Sequence, residues 1–333
     1  MDVRLSDEQR ALRDAAVAVV TKLGPGSVVD LGDSARAERL DAAVAEAGWR
    51  DLRAAEEDGS PVASAVEAAL VAEELARGPA DTAYVGPLLA VDLRRLAGAA
   101  ASESRETIAL TSDLATLADD VPGVAFDARA AGRALCLHGS AVVSVPLDEP
   151  TTDEVDLTRH CAVVDAAADA EPVGELAPDD LVRWTALGLA VTAADLVGAM
   201  RGAIDLAVDY AKTRRQYDAA IGSFQAVQHL LADAHVAMEG SRSAALHAAW
   251  SVDALAPADA LAAAASAKAY CSRAARLACE TSIQVHGGIG NTWECKAHLY
   301  LRRALVSSEL LGGIGVSLRR VLDHEVGVGV GLR

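Results

Sequence analysis

The residues with the clearest chemical potential lie in one stretch, Gln284-Val-His-Gly-Gly-Ile-Gly-Asn-Thr-Trp-Glu-Cys-Lys-Ala-His-Leu-Tyr-Leu-Arg-Arg303. Three glycines in four positions, Gly287, Gly288 and Gly290, strip the backbone of side chains. Its N–H groups can then approach an anion closely, and the next helix can direct its positive end at it. Phosphate is the natural ligand of such a turn. A helix C-cap without any ligand is the alternative that glycine at a helix end always carries. His229, His286 and His298 have no acid–base partner at a recognisable spacing and read as packing, hydrogen-bonding or interface residues. The five cysteines, Cys136, Cys161, Cys271, Cys279 and Cys295, are scattered with no Cys-x-x-Cys pair, which argues against a zinc site or a disulfide framework.

Helices must position that turn. Ser6-Asp-Glu-Gln9 reads as a capping box opening a first helix, a second runs from Ala35 to Gly48, and a third from about Val62 to Arg77 is ended by Gly78-Pro79. Between Glu106 and Asp180 the pattern changes to short apolar runs, Thr107-Ile-Ala-Leu, Gly123-Val-Ala-Phe, Arg133-Ala-Leu-Cys-Leu-His, Ala141-Val-Val-Ser-Val and Cys161-Ala-Val-Val. Acidic pairs such as Asp148-Glu149 and Asp153-Glu154 separate them, and they predict a small sheet edged by solvated loops. Helical periodicity returns after Leu181. One long helix spans Ala186 to Arg215, a second is capped by Ser223, a third spans Pro257 to Val285, and a fourth runs from Glu294 to Leu322. The expected architecture is mainly α: an N-terminal helical domain over 1–105, a small reduced β domain over 106–180, and a C-terminal four-helix bundle over 181–333.

Composition narrows the function. Apolar residues make up 52% but aromatics only 3%, so alanine-rich helices packed closely are expected over sheet sandwiches. The formal charge of −18 repels nucleic acid and anionic membrane surfaces. No uncharged apolar run approaches the roughly 18 residues that span a bilayer, and the N-terminus has no basic region followed by an apolar core, so a cytoplasmic location is expected. No metal site is expected.

Tyr210-Ala-Lys-Thr-Arg-Arg-Gln-Tyr-Asp-Ala-Ala-Ile-Gly-Ser-Phe-Gln-Ala-Val-Gln-His229 and Gln284-Val-His-Gly-Gly-Ile-Gly-Asn-Thr-Trp-Glu294 resemble the last two signatures of the acyl-CoA dehydrogenases. Ser6-Asp-Glu-Gln-Arg-Ala-Leu-Arg13, Gly48-Trp49 and Glu57-Asp-Gly59 are similar to that family's N-terminal domain. The resemblance implies FAD held where subunits meet, with one subunit holding the ring and its neighbour's bundle the pyrophosphate and adenosine. By position Arg214 and Gln216 would meet the pyrophosphate, Tyr217 would pack near the adenosine, and Gln284, Gly287 and Gly288 would contact the same half. It also implies an acyl-CoA substrate and an electron-transfer flavoprotein as acceptor.

The family's reaction needs a carboxylate to take the α-proton, and by resemblance it sits at one of two positions. Here these are Leu311 and Gly188, and neither can accept a proton. Glu309 and Asp195 are the nearby acids. On a continuous ideal helix at 100° per residue, Glu309 would point about 200° from residue 311, and Asp195 lies two turns along the face of Gly188. The family's Thr-Glu-Pro-x-x-Gly-Ser-Asp-like segment and the following tryptophan segment, which meet the flavin ring, are missing from 106–180, and Asp218 stands where glycine is usual. The retained half of the site is the half given to a neighbour. The chain thus resembles the shortened non-catalytic subunit of the mixed α2β2 acyl-CoA dehydrogenases of steroid-degrading actinobacteria, whose partner holds the flavin ring, the base and an acyl-CoA, here a steroid-derived one. Two alternatives are a self-sufficient dehydrogenase with Glu309 or Asp195 as a displaced base, and a flavin-free assembly protein.

Overall fold

The computed structural model describes residues 4–120, 122–147, 154–164 and 169–327. Asp148, Glu149 and Asp153 lie outside the described residues. Four helices open the chain: α1 (Asp7–Leu23), α2 (Ser34–Glu46), α3 (Ala65–Arg77) and α4 (Val85–Leu96). The capping box is formed, with Ser6 Oγ accepting from Gln9 N at 3.1 Å and Ser6 N donating to Gln9 Oε1 at 3.0 Å. Asp33 and Ser64 cap α2 and α3 in the same way, each turning an orphan N–H toward a side-chain oxygen.

Six strands follow: β1 (Glu106–Leu110), β2 (Gly123–Phe126), β3 (Arg133–His138), β4 (Ala141–Pro146), β5 (Ala162–Val164) and β6 (Glu171–Glu175). They form one sheet in the order β5-β2-β1-β3-β4-β6, parallel at β1–β3 and antiparallel elsewhere. The five apolar runs are β1 to β5. The sixth strand, Glu-Pro-Val-Gly-Glu, has no apolar run to announce it; it is an edge strand, where proline lacks nothing it needs to donate.

Five helices complete the fold: α5 (Pro178–Thr213), α6 (Gln225–Ala254), α7 (Pro257–His286), α8 (Ala297–Glu309) and α9 (Ile314–Glu325). The fold is mainly helical with a small sheet, as expected. Helix α5 is its axis, buried along most of its length. Its glycines let α3 approach: a Cβ on Gly198 would collide with the Glu73 carbonyl, and one on Gly202 with the Arg77 carbonyl and the Tyr300 ring. By length and composition α5 could cross a membrane, but 94% of its most apolar window is buried inside the fold.

Two expectations change. The fourth bundle helix is two helices, because the chain leaves helical geometry at Leu310-Leu311-Gly312-Gly313, with φ +57° at Leu311 and +98° at Gly312. Ser223 does not cap α6. Its Oγ donates to Ala220 O at 2.7 Å within a short 3-10 turn, and the residue at the cap position is Phe224, whose side chain offers no acceptor.

Candidate functional site

Two places come out of this architecture. The first is where the C-terminal ends of α5 and α7 lie side by side. Tyr210, in the last turn of α5, stacks on His286 at the end of α7, with centroids 4.5 Å apart and planes at 25°. His286 is fixed in turn by a 2.7 Å hydrogen bond between its Nδ1 and Ser282 O. Ala207, Ala211 and Val285 form a small buried cluster beneath. This packing joins the two motifs that sequence alone could only order along the chain.

Beyond Tyr210, Arg214 terminates α5 in extended conformation, and Arg215–Gln216 (β7) pairs with Ala219–Ala220 (β8) as a hairpin. Its two-residue turn is Tyr217-Asp218, both at positive φ (+50° and +61°), the geometry that matches strand twist and favours Asn, Asp or Gly. Asp218 is therefore tolerated where glycine is usual, and the Arg215 guanidinium donates to its backbone carbonyl, not to its carboxylate. Arg214, Gln216 and Tyr217 are all exposed, Tyr217 at 92%. The Tyr217 ring meets Phe224 edge-on, with centroids 6.4 Å apart, just before the N-terminus of α6, whose first turn no side chain caps.

Gly287, at φ +66°, ends α7 and starts a 3-10 turn through Asn291. Gln284, Gly287 and Gly288 are exposed, and a Cβ at either glycine would meet no protein atom within 4 Å. The residues thus suit a dinucleotide tail: a guanidinium for charge, an uncapped helix start, bare backbone, and an exposed aromatic pair for a flat ring.

The second place is the centre of the molecule, where α5 passes the α8–α9 break. A Cβ on Gly188 would collide with Leu311 Cδ1, so the Leu311 side chain rests directly on that glycine. Residues 188 and 311 face one point in space, and an isobutyl group fills it. Leu311 N donates to Leu114 O at 2.7 Å, tying the break to the loop after β1. The cavity beside it, about 290 Å³, is lined in part by Leu117, Trp184, Thr185, Leu311 and Arg320. That lies at the small end for enclosing an organic ligand.

Of the two nearby acids, one is buried in an ion cluster and the other lies at the surface. Asp195 is fully buried; its Oδ1 accepts from Arg159 Nη2 at 2.7 Å and from Arg303 Nη2 at 2.6 Å, and its Oδ2 from Ser307 Oγ at 2.7 Å. Burial alone would raise this carboxyl, but the two guanidiniums and the serine hold it below the usual carboxylate range. Glu309 is exposed at the last position of α8. Because the helix stops there, the expected 200° offset on a continuous helix does not describe it.

Sequence reasoning missed what holds the break in place. Lys268, 0% exposed in mid-α7, donates to Ser308 O at 2.8 Å, Leu310 O at 2.9 Å and Gly312 O at 3.4 Å. Arg320 Nη1 adds a bond to Leu311 O at 2.7 Å. Four carbonyls of a broken helix end are thereby satisfied by two cations, with no carboxylate in ion-pair distance of either among the described residues. A signal existed: Lys268 shares the face of Ala264, Cys271 and Ala275, where a charge is out of place.

Burial pushes Lys268 down to about 7, outweighing the opposing pull of Glu309. Folding thus disfavours the charged form. The penalty is complete below about pH 7 and fades as pH rises toward the unfolded value near 10.4. Lys268→Met leaves the carbonyls without a donor and is expected to lower stability by about 1–3 kcal/mol at neutral pH. In urea titrations across that pH window, the wild type should gain stability relative to the variant as pH rises.

Comparisons with known proteins agree with this architecture. Residues 186–325 match the acyl-CoA dehydrogenase C-terminal domain. The chain is 32% identical to acyl-CoA dehydrogenase IpdE2 of Mycobacterium tuberculosis, over 96% of this chain and 98% of that protein. Among solved structures it is similar to the Tcur3481-Tcur3483 steroid ACAD G363A variant (TM-score 0.82, 22% identity, 96% of this chain and 98% of that one). It is also similar to the ChsE4-ChsE5 complex from Mycobacterium tuberculosis (TM-score 0.79, 22% identity, 99% of this chain and 100% of that one). The class is an oxidoreductase fold of helices, sheet and helical bundle. The chain belongs to the acyl-CoA dehydrogenase family.

Proposed function

We propose that this chain is the non-catalytic subunit of a heteromeric FAD-dependent acyl-CoA dehydrogenase, giving its bundle to a partner that carries the base and the acyl-CoA. One observation carries this reading: Leu311 lies on Gly188, so the two positions where the family places its base touch each other and neither holds a carboxylate. Asp195 is consumed by Arg159, Arg303 and Ser307, and Glu309 faces solvent, which speaks against a displaced base and a self-sufficient enzyme.

Arg214 and Gln216 would hold the pyrophosphate of FAD, and Tyr217 would cover the adenosine. Gln284, Gly287 and Gly288 would line the same half at the subunit interface. FAD, when bound, supplies hydride acceptance from the β-carbon of the acyl chain. The partner's base would take the α-proton, and an electron-transfer flavoprotein would be the electron acceptor. Two fold neighbours support the assembly and substrate class: one is described as a steroid ACAD and the other as a two-protein complex. A steroid-derived acyl-CoA in an α2β2 heterotetramer follows as the proposed setting.

Gly288→Val tests the cofactor contact. Position 288 is not at positive φ and a Cβ there would meet no protein atom within 4 Å, so a side chain can be added without a clash at its first atom. The variant chain alone is expected to keep its unfolding temperature, and its assembly with the catalytic partner to lose most of its FAD, read as flavin absorbance per protein after gel filtration. Full flavin retention would remove the glycine turn from the cofactor site.

A further inference from the structure

We propose a second anion site, in the cleft between α1 and the middle of α6, for the phosphate groups of a small phosphorylated metabolite. In a chain of net charge −18, four arginines, Arg4, Arg10, Arg13 and Arg242, line one open cavity of about 410 Å³. Among the described residues Glu239 is the one acidic residue lining that wall, and Leu5 and Leu246 supply apolar surface for the organic part of a ligand.

Arg10 and Arg13 are paired with Asp7 and Asp14, but those carboxylates are 91% and 68% exposed and screened by water. Arg242 is differently placed. Its side chain is only 28% exposed, and its Nε lies 3.3 Å from Glu73 Oε1 as an ion pair. Yet that Nε is buried with no hydrogen-bond partner, and Arg201 also claims Glu73. Among the described residues Arg242 makes no hydrogen bond, the Glu73 carboxylate is its ion-pair partner, and it lines the cavity.

Arginines from the segment before α1, from α1 and from α6 line one volume, where the Arg10 fork also donates to Leu5 O. A phosphate or pyrophosphate offers enough acceptor oxygens to meet them, whereas a single carboxylate satisfies one fork. The cleft lies about 25 Å along α6 from the hairpin and its aromatic pair, counting 1.5 Å per residue from Gln225 to Arg242. It is thus separate from the proposed flavin contacts.

The test uses the full chain, alone and in its assembly, titrated calorimetrically with sodium pyrophosphate and with ATP at fixed ionic strength. One saturable site per chain is expected, with a rise in unfolding temperature. Arg13→Gln with Arg242→Gln should weaken binding by about tenfold or more, the value of losing charge-assisted bonds, while flavin content stays unchanged. Because Arg242 also pairs with buried Glu73, Arg4→Gln with Arg13→Gln provides a pair on the outer wall that should weaken binding in the same direction. Absence of saturable binding by either probe, affinity indifferent to both double variants, or saturation by polyglutamate alone would overturn the proposal.

Discussion

Asp195→Asn is expected to lower the free energy of unfolding by about 3–5 kcal/mol, the usual consequence of removing one member of a buried ion cluster. Two guanidiniums depend on this carboxylate. Arg159 and Arg303 are 3% and 4% exposed; without the charge Arg303 would stay buried with its ion pair lost, and Arg159 would keep only Asp156 at 3.4 Å. Asparagine keeps the shape but has a single acceptor oxygen, so it removes the charge and turns an NH2 toward either the guanidiniums or Ser307. The pH profile gives a second reading. Asp195 is held below the usual carboxylate range, so its contribution is present above the unfolded value near 3.9 and is lost as pH falls through the lower folded value. The wild type should show that acid limb and Asp195→Asn should lack it. A catalytic base would behave oppositely: the substitution would abolish turnover and leave the denaturation midpoint in place.

Arg214→Ala should weaken FAD retention in the assembly by about tenfold to a hundredfold, matching the roughly 1.5–3 kcal/mol of a hydrogen bond to a charged group. The chain itself should be unaffected, because Arg214 is exposed and its structural bonds are both backbone, its N donating to Tyr210 O and its O accepting from Ile221 N. Equilibrium dialysis of flavin against the purified assembly measures the change. Arg214→Lys keeps the charge but loses the planar fork, and an intermediate affinity is expected. Unchanged affinity in both variants would mean that this arginine is a solvated helix end.

Much of the frame was legible because local rules decide it. Ser6 and Gln9 specify the start of α1 by mutual hydrogen bonding, and the short continuous apolar runs of β1 to β4 suit strands buried on both faces. The glycine turn was legible too, since Gly287 adopts a backbone conformation that side chains resist. What escaped was non-local. Leu310-Leu311 continues an apolar helical pattern, the Gly312-Gly313 pair after it was the one local sign of a break, and contacts from Leu114, Lys268 and Arg320 hold the chain bent there. Ser223 looks like a cap until the 3-10 turn uses its hydroxyl first. The pairing of Asp195 with Arg159 and Arg303 spans 36 and 108 residues, a distance over which no periodicity speaks. The contact of Leu311 with Gly188 has the same character, and it turns two separate absences of a carboxylate into one filled space.

The central claim is that this chain contributes to an acyl-CoA dehydrogenase without performing its chemistry. The most direct measurement is acyl-CoA-dependent reduction of a dye acceptor by the chain purified alone, by its catalytic partner alone, and by the two co-purified, with flavin absorbance recorded for each. Activity and a yellow colour are expected only for the co-purified assembly, with Leu311 and Asp195 unaltered. A yellow preparation of this chain alone that reduces the acceptor with an acyl-CoA substrate would contradict it.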